Sequence, residues 1–296
     1  MHSVGLLINE GKPAALDSAR RLIHAYADRS DICLLARDTV ARSLSANLCH
    51  AATDTEIAQT DFVVVFGGDG TLLAAARLVA PYETPILGIH LGQFGFITEV
   101  APERLMTAVD AALSGACQIE ERLMLQGEIE RGSDPPEGTI VPEEPLLAVN
   151  DIVVASGMVR MVHVQTRIGE HLLATYAADG VIVSSPTGST GYSLSAGGPL
   201  VHPAAPVLLV TPVSPHTLNA RALLVPDTET VHLTVEGKTR DSVLASVDGQ
   251  LDIPLHPGDT VHIRRAPFNA RLLTVGGPNF YQKIRSRWHY GERTAP

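Results

Sequence analysis

Phe62-Val63-Val64-Val65-Phe66 places five apolar residues in unbroken succession and stops at Gly67-Gly68-Asp69-Gly70. A strand that is apolar on both sides has no solvent face, so it belongs in a sheet covered on both faces. Helical spacing follows at once, from Thr71 to Val79. The same alternation runs through the first third of the chain. Val4–Ile8, Asp31–Leu35 and Pro85–Ile89 read as strands, and Ala14–Ala27 and Pro102–Leu113 as helices. Strands alternating with helices predict a parallel sheet with helices on both sides.

The pattern changes near Gly115. From Gln118 onward the helical period fades and short strands dominate: Leu125–Glu130, Leu147–Val154, Val159–Ile168, Val181–Ser184, Val207–Thr211, Thr230–Val235, Val243–Val247, Thr260–Arg265 and Ala270–Val275. Many short strands between turn signals predict a β-sandwich-like domain. Arg131–Pro145, rich in Pro, Glu and Gly, reads as an exposed loop. The expected organisation is an α/β domain over 1–117, a β domain over 118–275 and a tail over 276–296 that packs back on the first domain. At 296 residues the chain suits two domains.

Composition narrows the function. Lys and Arg number 22 against 32 Asp and Glu, a net charge of −10, which argues against a general nucleic-acid binder and against docking on an anionic membrane. The basic tail around Lys283, Arg285, Arg287 and Arg293 is therefore read as a surface or subunit contact, not as an RNA site. The three cysteines, Cys33, Cys49 and Cys117, have spacings that fit neither a disulfide framework nor a CxxC site. Neither a signal-peptide pattern nor a bilayer-length apolar run is present, so a cytoplasmic location is expected. Among the 12 histidines, His163, His171, His232 and His262 fall in alternating strand patterns without HxxxH partners and read as strand-face residues.

Three segments carry chemistry. In Gly67-Gly68-Asp69-Gly70-Thr71 a strand opens through glycines into a helix. Glycines let backbone approach phosphates, and helix N–H groups attract anions. Asp69 then stands at a strand's carboxyl end, placed to take a proton from a hydroxyl or to help hold magnesium; the other open reading is a plain helix cap. Asp179 to Pro199 is a dense run of hydroxyls and glycines suited to ribose and phosphate, with Tyr192 placed to stack on a base or bond a sugar. A flexible linker is disfavoured, because Val181-Ile182-Val183 and Pro199-Leu200-Val201 bracket it. Asn150-Asp151 interrupts an apolar run and is either a ligand pair or a strand end. Asp248-Gly249 reads as a hairpin turn.

Gly67–Thr71, Gly95-Phe96-Ile97-Thr98-Glu99, Asn150-Asp151, Asp179 to Pro199 and Thr211-Pro212-Val213-Ser214-Pro215-His216 occur in this order. Together they resemble the NAD kinase family over most of the chain. The resemblance implies transfer of a phosphoryl group from ATP or polyphosphate to the 2′-hydroxyl of the adenosine ribose of NAD, with a divalent metal, most simply Mg2+. It implies Asp69 as the catalytic residue, and Gly67, Gly68, Gly70 and Thr71 as the phosphate loop. It implies NAD contacts from Asp69, Gly70, Phe96, Asn150, Asp151, Asp179, Thr187, Thr190, Gly191, Tyr192 and Ser195, with no protein metal ligand assigned. A homodimer or homotetramer is implied as well, with neither a nucleic-acid nor a membrane partner. Asp151, Gly191 and Ala222 depart from the family's usual Glu, Ala and Pro. A lipid kinase of the diacylglycerol type, which shares Gly-Gly-Asp-Gly, and a non-catalytic dinucleotide sensor are the competing readings.

Overall fold

A computed structural model describes the chain except for residues 46–47, 93–94, 96, 98–99, 134–141, 143, 159–160, 238–242, 278 and 289–296. The chain forms two compact units, Met1–Glu121 with Ala270–Pro296, and Arg122–Asn269.

The first unit runs β1 (His2–Ile8), α1 (Pro13–Ala25), β2 (Ile32–Ala36), α2 (Asp38–Ser45), β3 (His50–Ala51), α3 (Asp54–Ala58), β4 (Phe62–Gly67), α4 (Asp69–Val79), β5 (Ile86–His90) and α5 (Leu105–Leu113). Pro13 opens α1, where its missing N–H costs nothing. Thr53 and Glu56 form a reciprocal capping box on α3. The strands pair in parallel in the order β5-β4-β1-β2-β3. Val4, Leu6, Phe62, Val64 and Phe66 share a core with α1, α2 and α5. The alternate residues Leu7, Val63 and Val65 are also buried, and α3 and α4 lie against β1, β4 and β5. Burial on both sides is why the β4 segment is apolar throughout.

The second unit is antiparallel. Its strands are β6 (Gln118–Glu130), β7 (Leu146–Ala148), β8 (Asp151–Ser156), β9 (Val162–Ile168), β10 (His171–Ala178), β11 (Gly180–Ser184), β12 (Val207–Val213), β13 (Leu223–Pro226), β14 (Val231–Glu236), β15 (Val243–Val247), β16 (Leu251–Leu255) and β17 (Thr260–Thr274). A short helix, α6 (Tyr192–Ser195), precedes β12. One sheet runs β10-β9-β14-β17, with β6 pairing β17 and β7; the other runs β13-β12-β11-β8-β15-β16. Val164, Val231, Leu233 and Ile263 of the first sheet share one core with Val154, Val183, Val210 and Ala245 of the second, which makes the sandwich. The tail carries α7 (Phe280–Trp288).

Several expected elements differ. Thr260–Arg265 and Ala270–Val275 are one 15-residue strand, β17, whose residues from Ala270 onward belong to the first unit and pair there in parallel with β5 at Leu272 and Ile86. Leu147–Val154 is two strands broken at Val149-Asn150, because the amides there bond a side chain and not a neighbouring strand. Periodicity also missed β10, an edge strand with Leu172 and Leu173 exposed, and the short α2, α3, β13 and β16. The Arg131–Pro145 loop falls largely outside the described residues. No helix among the described residues is long and apolar enough to cross a membrane.

Candidate functional site

In the first unit the strand order reverses between β1 and β4, and ligands of open α/β sheets bind at such a point, beyond the carboxyl ends of the strands. Two turns meet there. Gly68 is the N-cap of α4, and its carbonyl accepts the amides of Thr71 at 3.0 Å and Leu72 at 3.1 Å. Asp69 is the first helical residue and is half-buried. A Cβ on Gly67 would overlap the Thr71 side chain, so the turn requires glycine there. The second turn follows β1. Asn9 Nδ2 donates to Thr71 Oγ1 at 3.3 Å, and Lys12 Nζ donates to the Leu91 carbonyl at 3.3 Å. A Cβ on Gly68 would lie 3.8 Å from Lys12 Nζ. Sequence reading missed Asn9 and Lys12. The available signal was their place in a turn directly after the first strand.

The second unit builds a pocket of about 430 Å3 on β8, β15 and the β15–β16 turn, with Asn150, Asp151, Tyr192, Ser246, Asp248 and Asp252 among its lining residues. Asp248 organises it. Its Oδ1 accepts the amides of Asn150 at 2.8 Å and Asp151 at 3.2 Å, and its Oδ2 that of Val149 at 3.1 Å. Asp248 and Gly249 form the expected hairpin turn, with φ of 50° and 63°, and the Gln250 amide donates to the Val247 carbonyl at 2.9 Å.

Asp151 is 5% exposed, and burial, then the Asp248 charge, pushes its carboxyl up to about 7. Asn150 Oδ1 and Thr187 Oγ1 are buried without a hydrogen-bond partner. Asn150 lines the recess, and an unfilled acceptor there suits the hydroxyl and amino donors of a nucleoside. Among the described residues no Lys or Arg lines the pocket.

The Asp179 to Pro199 segment divides by role. Ser185 Oγ donates to the Val149 carbonyl at 2.5 Å, Ser189 Oγ to the Val201 carbonyl at 3.3 Å, and Ser193 Oγ pairs with Thr211 Oγ1 at 2.9 Å. These hydroxyls are therefore spent on the fold and are not offered to a ligand. Thr190 Oγ1 donates to the Thr187 carbonyl at 3.1 Å. A Cβ on Gly188 would overlap the Asn150 backbone, so this turn packs directly on the pocket strand. Gly191 lies beside the pocket too: a Cβ there would be 3.6 Å from Asn150 Nδ2 and 3.9 Å from Asp151 Oδ2.

Asn150, Asp151 and Tyr192 thus come together at one recess, with Gly191 adjoining, while Thr187 and Thr190 belong to the neighbouring turn and do not line it. Ser195 is exposed and Asp179 is exposed at the opposite end of β11, and neither lines the pocket. Phe96 lies outside the described residues. Ser246 and Asp252 escaped sequence reading, because only the register of β15 and β16 brings them beside β8. Among the described residues no three or more His, Cys, Asp or Glu side chains form a group that could hold a metal ion.

Residues 4–117 match the model of the ATP-NAD kinase N-terminal domain, and residues 149–275 that of the C-terminal domain. The chain belongs to the NAD kinase family. An NAD kinase of Heliobacterium modesticaldum is 40% identical over 98% of this chain and 100% of its own length. One from Moorella thermoacetica is 41% identical over 98% of this chain and 90% of its own. Among solved structures, yeast NADH kinase complexed with NADH has the same fold, with a TM-score of 0.87 at 23% identity, covering 100% of this chain and 89% of the other. An NAD kinase from Archaeoglobus fulgidus in complex with ATP has a TM-score of 0.69 at 23% identity, covering 98% and 96%.

Proposed function

We propose that this protein phosphorylates the 2′-hydroxyl of the adenosine ribose of NAD, with ATP as donor, to give NADP. The observation that carries the reading is the unfilled acceptor Asn150 Oδ1 beside Asp151, in a recess with no Lys or Arg among its described lining residues. That chemistry suits the hydroxyl-rich nucleoside part of a dinucleotide. Gly67, Gly68, Gly70 and Thr71 are assigned to phosphate, which glycine backbone and helix N–H groups accommodate. Asp69 is assigned as the base that takes the proton of the attacking hydroxyl. Phosphoryl transfer asks mainly for positioning and charge neutralisation, so one such base suffices.

The donor set fits a divalent ion carried on donor phosphates, because Mg2+ asks for only one or two carboxylates and keeps the rest of its shell as phosphate and water. Asp69 is the carboxylate at the turn that would meet it, and the ion would neutralise phosphate charge. Support for ATP over polyphosphate comes from the family model's own description and from the Archaeoglobus fulgidus relative in complex with ATP.

The test is an NADP-formation assay with purified protein, NAD and Mg2+, supplied in parallel with ATP or polyphosphate. NADP formed with ATP by the wild type and not by Asp69→Asn supports the reading. Phosphate on any other hydroxyl, or turnover with polyphosphate alone, overturns the corresponding part of it.

A further inference from the structure

The outer face of the β9-β14-β17-β6 sheet carries a row of cross-strand pairs. Gln165 Nε2 donates to Glu236 Oε1 at 2.6 Å, Thr234 and Thr260 share a hydroxyl bond at 2.8 Å, and Arg264 pairs with Glu128 at 2.7 Å. Each of these matches a donor with an acceptor. Another pair sets two like rings against each other. His232 and His262 stand directly opposite one another on β14 and β17, with their Nδ1 atoms 2.7 Å apart and their rings edge to face.

The neighbours determine the protons. His262 Nε2 donates to Glu130 Oε2 at 2.9 Å, so in the neutral ring its Nδ1 holds a lone pair aimed at His232. A carboxylate on the far nitrogen is the arrangement that fixes the tautomer of metal-binding imidazoles and raises their basicity. Around the pair lie two carboxylates, Glu130 and Glu170, and one guanidinium, Arg167, a surplus of one negative charge. Burial and then the facing His262 hold His232 below the usual imidazole range. His262 is 30% exposed, so solvent and ions reach the pair.

We propose that His232 and His262 form a binding site for a divalent transition-metal ion that accepts nitrogen donors at right angles, Ni2+ or Cu2+ in chemistry. Imidazole suits these ions and does not suit Mg2+. Metal–nitrogen bonds of about 2.0–2.1 Å set at right angles put the two nitrogens about 2.9 Å apart, near the observed spacing, and each ring must turn off its present head-on line, on which the centroids stand 4.9 Å apart, to aim its lone pair at the ion. A tetrahedral ion needs about 3.4 Å, so Zn2+ fits less well. Water completes the coordination shell, and Glu130 acts through His262. Uptake moves the His232 proton from Nδ1 to Nε2 through solvent, and releases one further proton wherever the pair is charged. None of the residues assigned to the dinucleotide takes part.

Ni2+ titrated calorimetrically into the full chain at neutral pH tests the site. The wild type is expected to bind one equivalent that His232→Gln and His262→Gln each lose, that excess Mg2+ does not displace, and that Glu130→Gln keeps with about tenfold weaker affinity. Equal numbers of equivalents in the wild type and both histidine variants overturn the proposal. Should a variant fail to fold, the wild type alone decides: Ni2+ must broaden the NMR resonances of His232 and His262 before those of the other histidines. Broadening elsewhere first overturns it.

Discussion

Asp248 Oδ1 accepts the backbone amides of both Asn150, at 2.8 Å, and Asp151, at 3.2 Å, so one carboxylate oxygen sets where the pocket strand begins. The bond crosses 98 residues of sequence and ties the β15–β16 turn to the start of β8. The return bond, from the Asp248 amide to the Asp151 carbonyl at 2.9 Å, closes the connection.

Asp248→Ala leaves the amides of Val149, Asn150 and Asp151 without this acceptor. It should destabilise the protein by about 1–3 kcal/mol and weaken NAD binding together. Asp248→Asn retains one acceptor oxygen and tolerates the left-handed φ of 50°, so its effect should be smaller on both counts. Urea unfolding and an NAD titration of the two variants check the order.

Asp151 makes stability depend on pH. Its carboxyl is raised from an ordinary 3.8 to about 7 in the folded state. Below 3.8 it is protonated in both states. Between the two values the folded state holds a proton that the unfolded state has released, so stability should fall as pH rises through this window. Asp151→Asn should remove that decline and be the more stable protein at pH 8, by a few kcal/mol at most. In Asp248→Asn the Asp151 value should drop yet stay elevated, because burial is the larger cause. Melting curves from pH 4 to pH 8 read out both effects.

Asp69→Asn should lower kcat by about two to four orders of magnitude, with the melting temperature near that of the wild type. Its NAD affinity should change little, since Asn150 and the rest of the recess are untouched. Comparing kcat with an equilibrium NAD titration separates loss of the base from loss of binding.

Gly188→Ala and Gly191→Ala should differ. The first drives a Cβ into the Asn150 backbone and should cost about 1–3 kcal/mol along with NAD affinity. The second meets the Gly188 carbonyl at 3.3 Å and needs only a small shift, so it should cost under about 1 kcal/mol. Denaturant midpoints and NAD titrations of the pair give the comparison.

By itself the sequence determined the periodic parts of this protein. The apolar run through Phe62–Phe66 specified a doubly covered strand, and Gly67-Gly68-Asp69-Gly70 specified the turn into a helix, because both signals are local. It also marked Asn150-Asp151 and Tyr192, which the fold brings to one recess. Tertiary structure alone decided which polar groups are free. Ser185, Ser189 and Ser193 look like ligand donors in the chain, yet distant backbone and Thr211 occupy them. Asp179 lies in the same motif as Thr187, yet the length of β11 separates them. His232 and His262 are 30 residues apart, and only the antiparallel register of β14 and β17 sets their nitrogens face to face. Register is a property of two strands together, fixed by which faces must be buried, and no spacing within one strand encodes it.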